Sequence, residues 1–261
     1  MIDPPALRQG SRVFYHREKI YTFMNRQKIT LKLHDSLDIL QREIAGCQRC
    51  PRLREYGSQI ATVKRRAYRD CNYWGKPVPS FGDPRAQILI LGLAPGAHGS
   101  NRTGRMFTGD RSGDFLYQAL YDEGFASQPT SIRRDDGLKL TNVYITAAVR
   151  CAPPANKPTP EEILTCRRYI TREIDLLINV KVVIALGKLG FDDYLAILKE
   201  RGIIERRSAF VFGHNAQFQT GPGQPLLIAS YHPSQQNTQT GKLTPQMFRA
   251  VLRAAKRHLT P

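Results

Sequence analysis

Four short apolar runs, each bounded by glycine, proline or polar residues, constrain the fold of this 261-residue chain most strongly. They cover residues 88–93, 143–149, 182–186 and 226–231. Between them lie segments whose apolar residues recur with a helical period. Buried strands that alternate with helices form a parallel sheet with helices on both faces. The sequence therefore predicts an α/β fold, whose ligands should bind beyond the carboxyl ends of the strands.

The charge of the chain indicates a polyanionic partner. There are 39 Lys and Arg residues against 22 Asp and Glu residues, which gives a formal net charge of +17. A field of this sign attracts polyanions, and binding to nucleic acid releases counterions. Basic residues concentrate in 49–70, and the stretch 244–261 contains no acidic residue. This clustering favours nucleic acid as the partner over a scattered, solubilising positive surface.

Composition predicts one globular domain of ordinary content, with 41% hydrophobic and 23% charged residues. We expect the domain to cover residues 35–261. Residues 1–34 have weak periodicity, and we interpret them as a flexible or loosely attached extension, or as the product of a start codon placed too far upstream. The chain shows no apolar run of 18 residues and no secretory pattern, so we expect a cytoplasmic protein that does not enter a membrane.

Two loops after predicted strands carry unusual motifs. Residues 92–99 read GLAPGAHG and residues 104–110 read GRMFTGD, with five glycines between positions 92 and 109. Glycines let backbone amides approach a ligand, but many phosphate and nucleotide sites share this feature. The pattern is neither a P-loop nor a dinucleotide fingerprint. After the fourth predicted strand, residues 230–241 read SYHPSQQNTQTG, where a lone histidine would more often be structural.

These segments resemble the two signature motifs of the uracil-DNA glycosylase superfamily. GLAPGAHG with GRMFTGD corresponds to motif one and SYHPSQQNTQTG to motif two, and the resemblance covers roughly residues 40–258. The cysteine spacing is similar to that of the iron–sulfur families 4 and 5 of this superfamily. Family 4 members usually carry a glutamate after the first glycine of motif one and an asparagine at the end of the second strand. Here Leu93 and Ala147 take these places, so the family 5 (B-type) branch fits better.

The resemblance implies a three-layer α/β/α sandwich with a central four-stranded parallel sheet. It also implies monofunctional removal of uracil from DNA in base excision repair, by base flipping and attack of water. Motif one lacks a polar side chain that would discriminate between bases, so we also expect hypoxanthine and xanthine as substrates. We expect the partner to be double-stranded DNA with a damaged base. The chain would act as a monomer near the nucleoid of a prokaryotic cell.

Two residues suit the chemistry of this reaction. Cleavage of the N-glycosidic bond passes through an oxocarbenium-like state, which needs a placed water and stabilisation of charge on the departing base. We expect Asp110 to position or activate the water, although an aspartate ahead of a helix is also a typical N-cap. We expect His232 to contact a carbonyl oxygen of the base, either as a neutral donor or as a cation.

The base-binding residues follow from the same motifs. Phe107 is the stacking candidate, and the alternative is a loop aromatic that fills the core. Asn156 matches the asparagine that the family uses to bind the base edge, although an asparagine beside prolines is otherwise a turn residue. Backbone amides of residues 93–96 are expected to bind the leaving base or a phosphate, and Gly92, Leu93 and Ala94 are expected substrate-binding residues of this loop. The residues predicted to contact DNA in the flipped-out gap are Ser234, Gln235, Gln236, Asn237 and Thr238.

Four cysteines are placed so that they could meet in the fold: Cys47, Cys50, Cys151 and Cys166. Clustered thiolates in an intracellular protein indicate a metal before a disulfide. By spacing alone zinc and a cubane cluster fit equally, and the family resemblance implies a structural 4Fe-4S cluster.

Two rival functions stay open at this stage. One is a non-catalytic iron–sulfur protein that binds DNA or senses damage on the same fold, which Leu93 in place of the acid makes worth considering. The other is an enzyme that binds a nucleotide or a phosphate sugar in the glycine-rich loop.

Overall fold

The computed structural model describes residues 36–259, in which helices cover both faces of a six-stranded sheet. The strands lie in the order β1-β3-β2-β4-β6-β5. Their bounds are β1 Phe81–Gly82, β2 Ile88–Gly92, β3 Val143–Ala147, β4 Val182–Leu186, β5 Gln217–Gln219 and β6 Leu226–Ser230. The predicted N-terminal extension, residues 1–34, lies outside the described residues, and the domain boundary at 35 stays a prediction.

The predicted α/β/α sandwich with a central four-stranded parallel sheet is confirmed, and two edge strands extend the sheet to six strands. The four apolar runs form β2, β3, β4 and β6, which pair in parallel at the centre of the sheet. Strands β1 and β5 add an antiparallel strand at each edge. The sequence pattern could not indicate these two, because β1 has two residues and β5 is the mostly exposed Gln-Phe-Gln segment.

Eight α-helices were assigned in the described part of the chain. They are α1 Leu37–Ala45, α2 Pro51–Val63, α3 Ser100–Thr103, α4 Arg111–Asp122, α5 Pro160–Leu176, α6 Gly187–Glu200, α7 Gln235–Gln239 and α8 Pro245–Arg257. Helix α5 begins with the capping box that Thr159 and Glu162 form, and Thr244 caps α8 by accepting a hydrogen bond from Met247 N. Capping of this kind satisfies amide groups that have no partner inside the helix.

Two apolar layers sandwich the sheet, one on each face. On one face, alternate strand residues such as Ile90 and Ile145 pack with α4 and α8 in a cluster that includes Leu116 and Phe248. On the other face, the intervening residues, such as Leu89, pack with α5 and α6. All residues of β2, β3 and β4 are buried, as expected for parallel strands covered on both sides. Within 36–259 no helix is both long and apolar enough to cross a membrane.

Candidate active site

A cavity of about 370 Å³ opens at the carboxyl ends of β2, β3 and β6. This size lies within the range of small-molecule sites, about 300–1,000 Å³. Six residues predicted to act on the substrate line it: Leu93, Ala94, Phe107, Asp110, Asn156 and His232. Ser234 and Gln236, from the predicted DNA-contacting set, also line it. The loops after three parallel strands therefore bring the two candidate catalytic residues to one cavity.

Six further residues line the cavity, of which only Gly96 lies in the loop whose amides were expected to bind the base. They are Gly96, Ser100, Met106, Ser112, Ala147 and Ala155. Four of them lie within or beside the motif segments, and Ala147 and Ala155 lie at the end of β3 and in the loop after it, so position after a strand was the available signal. Most are small, and small side chains leave room at the end of the sheet for a planar base.

Asp110 is the N-cap of α4. Its Oδ1 accepts a hydrogen bond from Gly113 N at 3.0 Å, so the capping interpretation of this residue is correct. The other oxygen, Oδ2, lies against the motif-one loop, where a Cβ added at Gly99 would come within 1.8 Å of it and one at Gly96 within 2.9 Å. Glycines at 96 and 99 thus make space for this carboxylate, which lines the cavity.

The surroundings of Asp110 include groups that raise the pKa of its carboxyl and groups that lower it. Burial raises the pKa of its carboxyl above the ordinary value, while the hydrogen bond from Gly113 and the nearby charge of Arg102 lower it. Arg102 also joins two parts of the motif-one loop, because its Nε donates to His98 O and its Nη2 donates to Gly109 O, each at 2.8 Å. The cationic side chain therefore braces the loop segment that carries Asp110.

His232 follows β6 and faces the ring of Phe107. The two ring centroids are 5.8 Å apart, with an angle of 31° between the planes. Burial lowers the pKa of His232 to about 4. A pKa this low favours the neutral form of the imidazole near pH 7 in the protein without DNA. Asn237 fixes the backbone here, since its Nδ2 donates to His232 O at 2.8 Å.

Phe107 is held in an unusual backbone conformation with φ of 51°. Two glycines allow this position. A Cβ at Gly92 would lie 3.0 Å from Phe107 Cζ, and one at Gly113 would lie 1.8 Å from Phe107 O. The ring both lines the cavity and packs against the core of the α4 and α8 face. Gly92 itself does not line the cavity, and its contribution is the space that it leaves for this ring.

Asn156 ends a short 3₁₀ turn, Pro154–Asn156, at the rim of the cavity. Ala155 and Asn156 both have positive φ, 51° and 56°. Asparagine tolerates the left-handed region, but a bulkier or unsuited residue there costs about 1–3 kcal/mol. Strained backbone at a cavity rim is typical of residues placed for function. The exposed side chain of Asn156 is therefore available to a ligand in the cavity.

The segment predicted to contact DNA forms helix α7 instead of an open loop. Ser234 caps it by accepting a hydrogen bond from Asn237 N at 3.4 Å, and Thr238 Oγ1 donates to Ser234 O at 3.1 Å. Gln235 and Gln236 are exposed. Of the five predicted DNA contacts, the two glutamines therefore have the most exposed side chains, while the other three also build the helix and hold His232. All five DNA contacts stay predictions.

Comparisons with known proteins agree with these motifs and this geometry. A family model described as the uracil DNA glycosylase superfamily matches residues 79–256. The chain belongs to this superfamily. Three similar proteins, all described as type-5 uracil-DNA glycosylases, support the family 5 branch. That of Thermus thermophilus is 53% identical over 214 residues, 82% of this chain and 94% of that protein.

The other two relatives are more distant but also extend over most of the superfamily domain. The protein of Mycobacterium tuberculosis is 48% identical over 215 residues, 82% of this chain and 78% of that protein. The protein of Pyrobaculum aerophilum is 42% identical over 218 residues, 84% of this chain and 91% of that protein. The resemblance to family 5 drawn from the motifs is confirmed.

The four cysteines line a second cavity, which lies beside the loop that follows β3. Cys47 and Cys50 lie just before α2, Cys151 follows β3, and Cys166 lies on α5. The pKa of the Cys151 and Cys166 thiols is raised to about 12, chiefly by burial and in smaller part by the neighbouring cysteines. The four sulfurs are therefore neighbours although they come from three separate parts of the chain.

The donor set of this second cavity consists of thiols. Within residues 36–259, no group of three or more His, Cys, Asp or Glu side chains is arranged so that it could hold a metal ion, and no cysteine there forms a disulfide. Arg150 N donates to Cys166 Sγ at 3.3 Å. Amide hydrogen bonds to sulfur and a ring of four thiolates are the features by which proteins hold iron–sulfur clusters. The chemistry of these four donors suits such a group, although in residues 36–259 the side chains do not surround one metal position.

A buried ion pair beside the cysteines was not predicted. The side chains of Arg150 and Glu173 are 1% and 0% exposed, and Arg150 Nη2 lies 2.5 Å from Glu173 Oε2. Ser80 and Thr146 donate hydrogen bonds to the same carboxylate. The pair connects the loop after β3 to α5, so it supports two of the segments that carry cysteines. No local pattern in the sequence joins positions 150 and 173.

Proposed function

We propose that this chain is a DNA glycosylase that hydrolyses the N-glycosidic bond of uracil in DNA, as the first step of base excision repair. The observation that carries the proposal is the single cavity lined by Asp110, His232, Phe107 and Asn156. A carboxylate, a neutral imidazole, an aromatic ring and an amide are the groups that this reaction needs. Membership of the superfamily and the similarity to three type-5 enzymes support it.

His232 acts on the departing base. As the bond from C1′ to the base nitrogen breaks, its electron pair moves onto the base, and negative charge builds on a carbonyl oxygen. The neutral ring of His232 donates an N–H hydrogen bond to that oxygen, and this bond strengthens as the charge develops. A donor held in a desolvated site stabilises the transition state more than it stabilises the bound substrate.

Asp110 acts on the sugar side. Its carboxylate orients a water toward C1′ and stabilises the positive charge of the oxocarbenium-like state. The water oxygen forms a bond to C1′, and one of its protons passes to the carboxylate. The products are an abasic deoxyribose and the anion of the base, which then takes up a proton from solvent while Asp110 releases its proton to solvent. The glycines at 96 and 99 leave Oδ2 beside the cavity while Oδ1 stays bound to α4.

The other residues of the cavity recognise the base. Phe107 offers a ring for stacking, and Asn156 offers an amide for hydrogen bonds to the base edge. Leu93 and Ala94 contribute apolar walls in place of a polar discriminating side chain. We expect this wall to admit hypoxanthine and xanthine as well as uracil. The base is flipped from double-stranded DNA, and the protein acts as a monomer close to the nucleoid of the prokaryotic cytoplasm.

The four cysteines hold a 4Fe-4S cluster in this proposal. When bound, the cluster supplies a cross-link between the start of α2, the loop after β3 and helix α5. Its role is structural, because the chain offers no redox partner in the sequence. A structural zinc is the alternative for the same four thiolates.

Purification tests the cluster independently of catalysis. We expect a brown protein with broad visible absorption, equal iron and sulfide content, and loss of the colour in Cys47→Ser. Cys71→Ser is the matched control and should keep the colour, because Cys71 does not line the cavity of the four cysteines. A colourless protein that contains zinc would replace the cluster by the alternative.

One assay tests the enzymatic proposal. The purified protein is incubated with duplex DNA that carries a single uracil, hypoxanthine or xanthine, and hot alkali then breaks the strand at each abasic site. We expect breaks at uracil. If none of the three bases is released, the enzyme proposal fails, and the non-catalytic protein that binds damaged DNA becomes the better account.

A further inference from the structure

An isoleucine in the segment between α4 and β3 is largely exposed on the surface. Ile132 lies in loop 131–136, between α4 and β3, and is 64% exposed. Its neighbours Arg133, Arg134 and Asp135 are exposed as well. A single exposed apolar residue is ordinary in a flexible loop. This loop, however, is fixed in place by buried charges.

The buried guanidinium of Arg105 organises loop 131–136. Arg105 is 3% exposed and forms a two-point salt bridge with Asp136, with Nη1 to Oδ1 at 2.8 Å and Nη2 to Oδ2 at 2.7 Å. Asp136 Oδ2 also accepts a hydrogen bond from Ile132 N at 2.8 Å. Arg105 Nη1 donates in addition to Arg134 O at 3.1 Å. Both ends of the loop are therefore fixed to one buried ion pair.

The same pair joins the loop to motif one. Ser131 O accepts a hydrogen bond from Gly109 N at 2.9 Å, and Ser131 Oγ lies 2.7 Å from Thr108 Oγ1. Gly109 directly precedes Asp110. Ile132 therefore projects from a rigid loop. The residue before it, Ser131, is hydrogen-bonded to the backbone next to the candidate catalytic carboxylate.

The charge beside Ile132 complements a nucleic acid backbone. Arg133 and Arg134 flank it, although Arg133 also pairs with Asp135 at 3.1 Å, and the Arg134 guanidinium lies 4.6 Å from the ring centre of Trp74. Proteins that distort DNA often insert an apolar side chain between base steps and hold the backbone with arginines. Helix α7, predicted to enter the gap left by a flipped base, has only polar residues, so no apolar wedge comes from that segment.

We propose that loop 131–136 contacts the DNA duplex beside the lesion and that Ile132 inserts into the base stack as an apolar wedge when the base is flipped. This inference rests on the proposed function for its partner. Unstacking a base step costs free energy. The wedge offsets part of this cost by covering the exposed base faces, and rigidity of the loop avoids the entropic cost of ordering it on binding.

A fluorescent base next to an abasic analogue tests the wedge without requiring catalysis. Duplex DNA carries 2-aminopurine beside a tetrahydrofuran site, and the full chain is added while anisotropy of a terminal label measures binding. We expect the unmodified protein to raise the 2-aminopurine emission, because insertion unstacks this base. Ile132→Ala should lose most of the rise on DNA that is saturated with protein. The substitution lies at an exposed side chain and should leave the fold intact.

Ile178→Ala is the matched control. Ile178 is 83% exposed and precedes β4, so it lies at the amino end of the sheet, opposite the cavity. The control should give the full rise in emission. An equal rise with Ile132→Ala, or no rise with the unmodified protein, would overturn the wedge.

Excision rates separate this inference from the proposed function. Ile132→Ala should lower kcat/KM for uracil in a U·A duplex by about tenfold, which corresponds to about 1.4 kcal/mol, and should change excision from a U·G mismatch less because that pair opens at lower cost. Absence of uracil release by the unmodified protein would instead remove the proposed function, and the fluorescence result would stand separately.

Discussion

The two carboxylate oxygens of Asp110 have different neighbours, so one oxygen can cap a helix while the other faces the cavity. Oδ1 caps α4 through Gly113 N, which fixes the side chain rotamer. Oδ2 lies against Gly96 and Gly99 beside the cavity. A carboxylate held by the amino end of a helix is preorganised, so it spends little energy on reorganisation when charge develops on the sugar. The capping role and the catalytic proposal therefore support each other.

Gly99→Ala tests this packing of Asp110. The new Cβ would meet Oδ2 at 1.8 Å, so the carboxylate or the loop backbone has to move. We expect uracil excision to fall by at least about tenfold, since misplacement of a catalytic group by about 1 Å is costly. Gly213→Ala is the control, because its Cβ meets only Ala216 Cβ at 3.8 Å, and it should retain the rate. A Gly99→Ala enzyme with the full rate would contradict the placement of this carboxylate.

His232 gives a prediction for pH. Its pKa is lowered by burial to about 4 in the folded protein, from an ordinary value of 6.5. Between these two values the unfolded chain binds a proton that the folded chain does not, so the free energy of unfolding decreases as pH falls from 6.5 toward 4. NMR of the imidazole should show no protonation above about pH 5. A midpoint near 6.5 would show that the ring is solvated and would remove the neutral-donor role.

At the level of residues, the sequence indicated the two catalytic candidates and missed their supports. Asp110 and His232 were singled out by the resemblance of their motifs to the superfamily, and both line one cavity. The positive φ of Phe107 depends on the space left by glycines elsewhere in the fold and has no local signal, whereas asparagine is one of the few non-glycine residue types enriched at positive φ, as at Asn156. Arg105 and Asp136 likewise form a pair only after the chain folds, 31 positions apart.

Among the elements, the central strands were predictable and the edges of the sheet were not. The runs that form β2, β3, β4 and β6 are apolar throughout because both faces of a central parallel strand are buried. Three runs extended one or two residues past the observed strands, since the chain stays apolar as it enters the loops. Edge strand β5 has polar, exposed residues, and tertiary pairing with β6 decides its conformation.

Helix α5 carries a test of the buried ion pair. Glu173→Gln removes the charge that faces Arg150 and leaves that guanidinium without its counter-ion in a buried site. Breaking a buried pair in this way costs about 3–5 kcal/mol. Asp175→Asn on the same helix breaks an exposed pair with Arg201 and should cost less than about 1 kcal/mol. Thermal unfolding of both variants checks this, and equal midpoints would show that the buried pair contributes no net stability.

Across the whole molecule, the parallel sheet collects residues that are far apart in the chain. Loops after three strands form the cavity, and segments near positions 47, 151 and 166 bring the four cysteines together. Spacing predicted that the cysteines could meet, but it could not choose the bound group, because four thiolates suit both zinc and a cubane cluster. The net charge of +17 supports a nucleic acid partner but does not locate its binding face.

The most direct test of whether both side chains act on one flipped base is single-turnover excision of uracil from duplex DNA. The variants compared are Asp110→Asn, His232→Ala and the double variant. Asparagine caps a helix as well as aspartate does, so Asp110→Asn removes the carboxylate charge and keeps α4 intact. We predict that each single variant lowers the rate by about 10²-fold or more, and that the double variant loses less than the product of the two. DNA affinity should stay within about threefold of the unmodified protein, a difference below 1 kcal/mol. Full excision by Asp110→Asn, at the rate of the unmodified protein, would contradict the account.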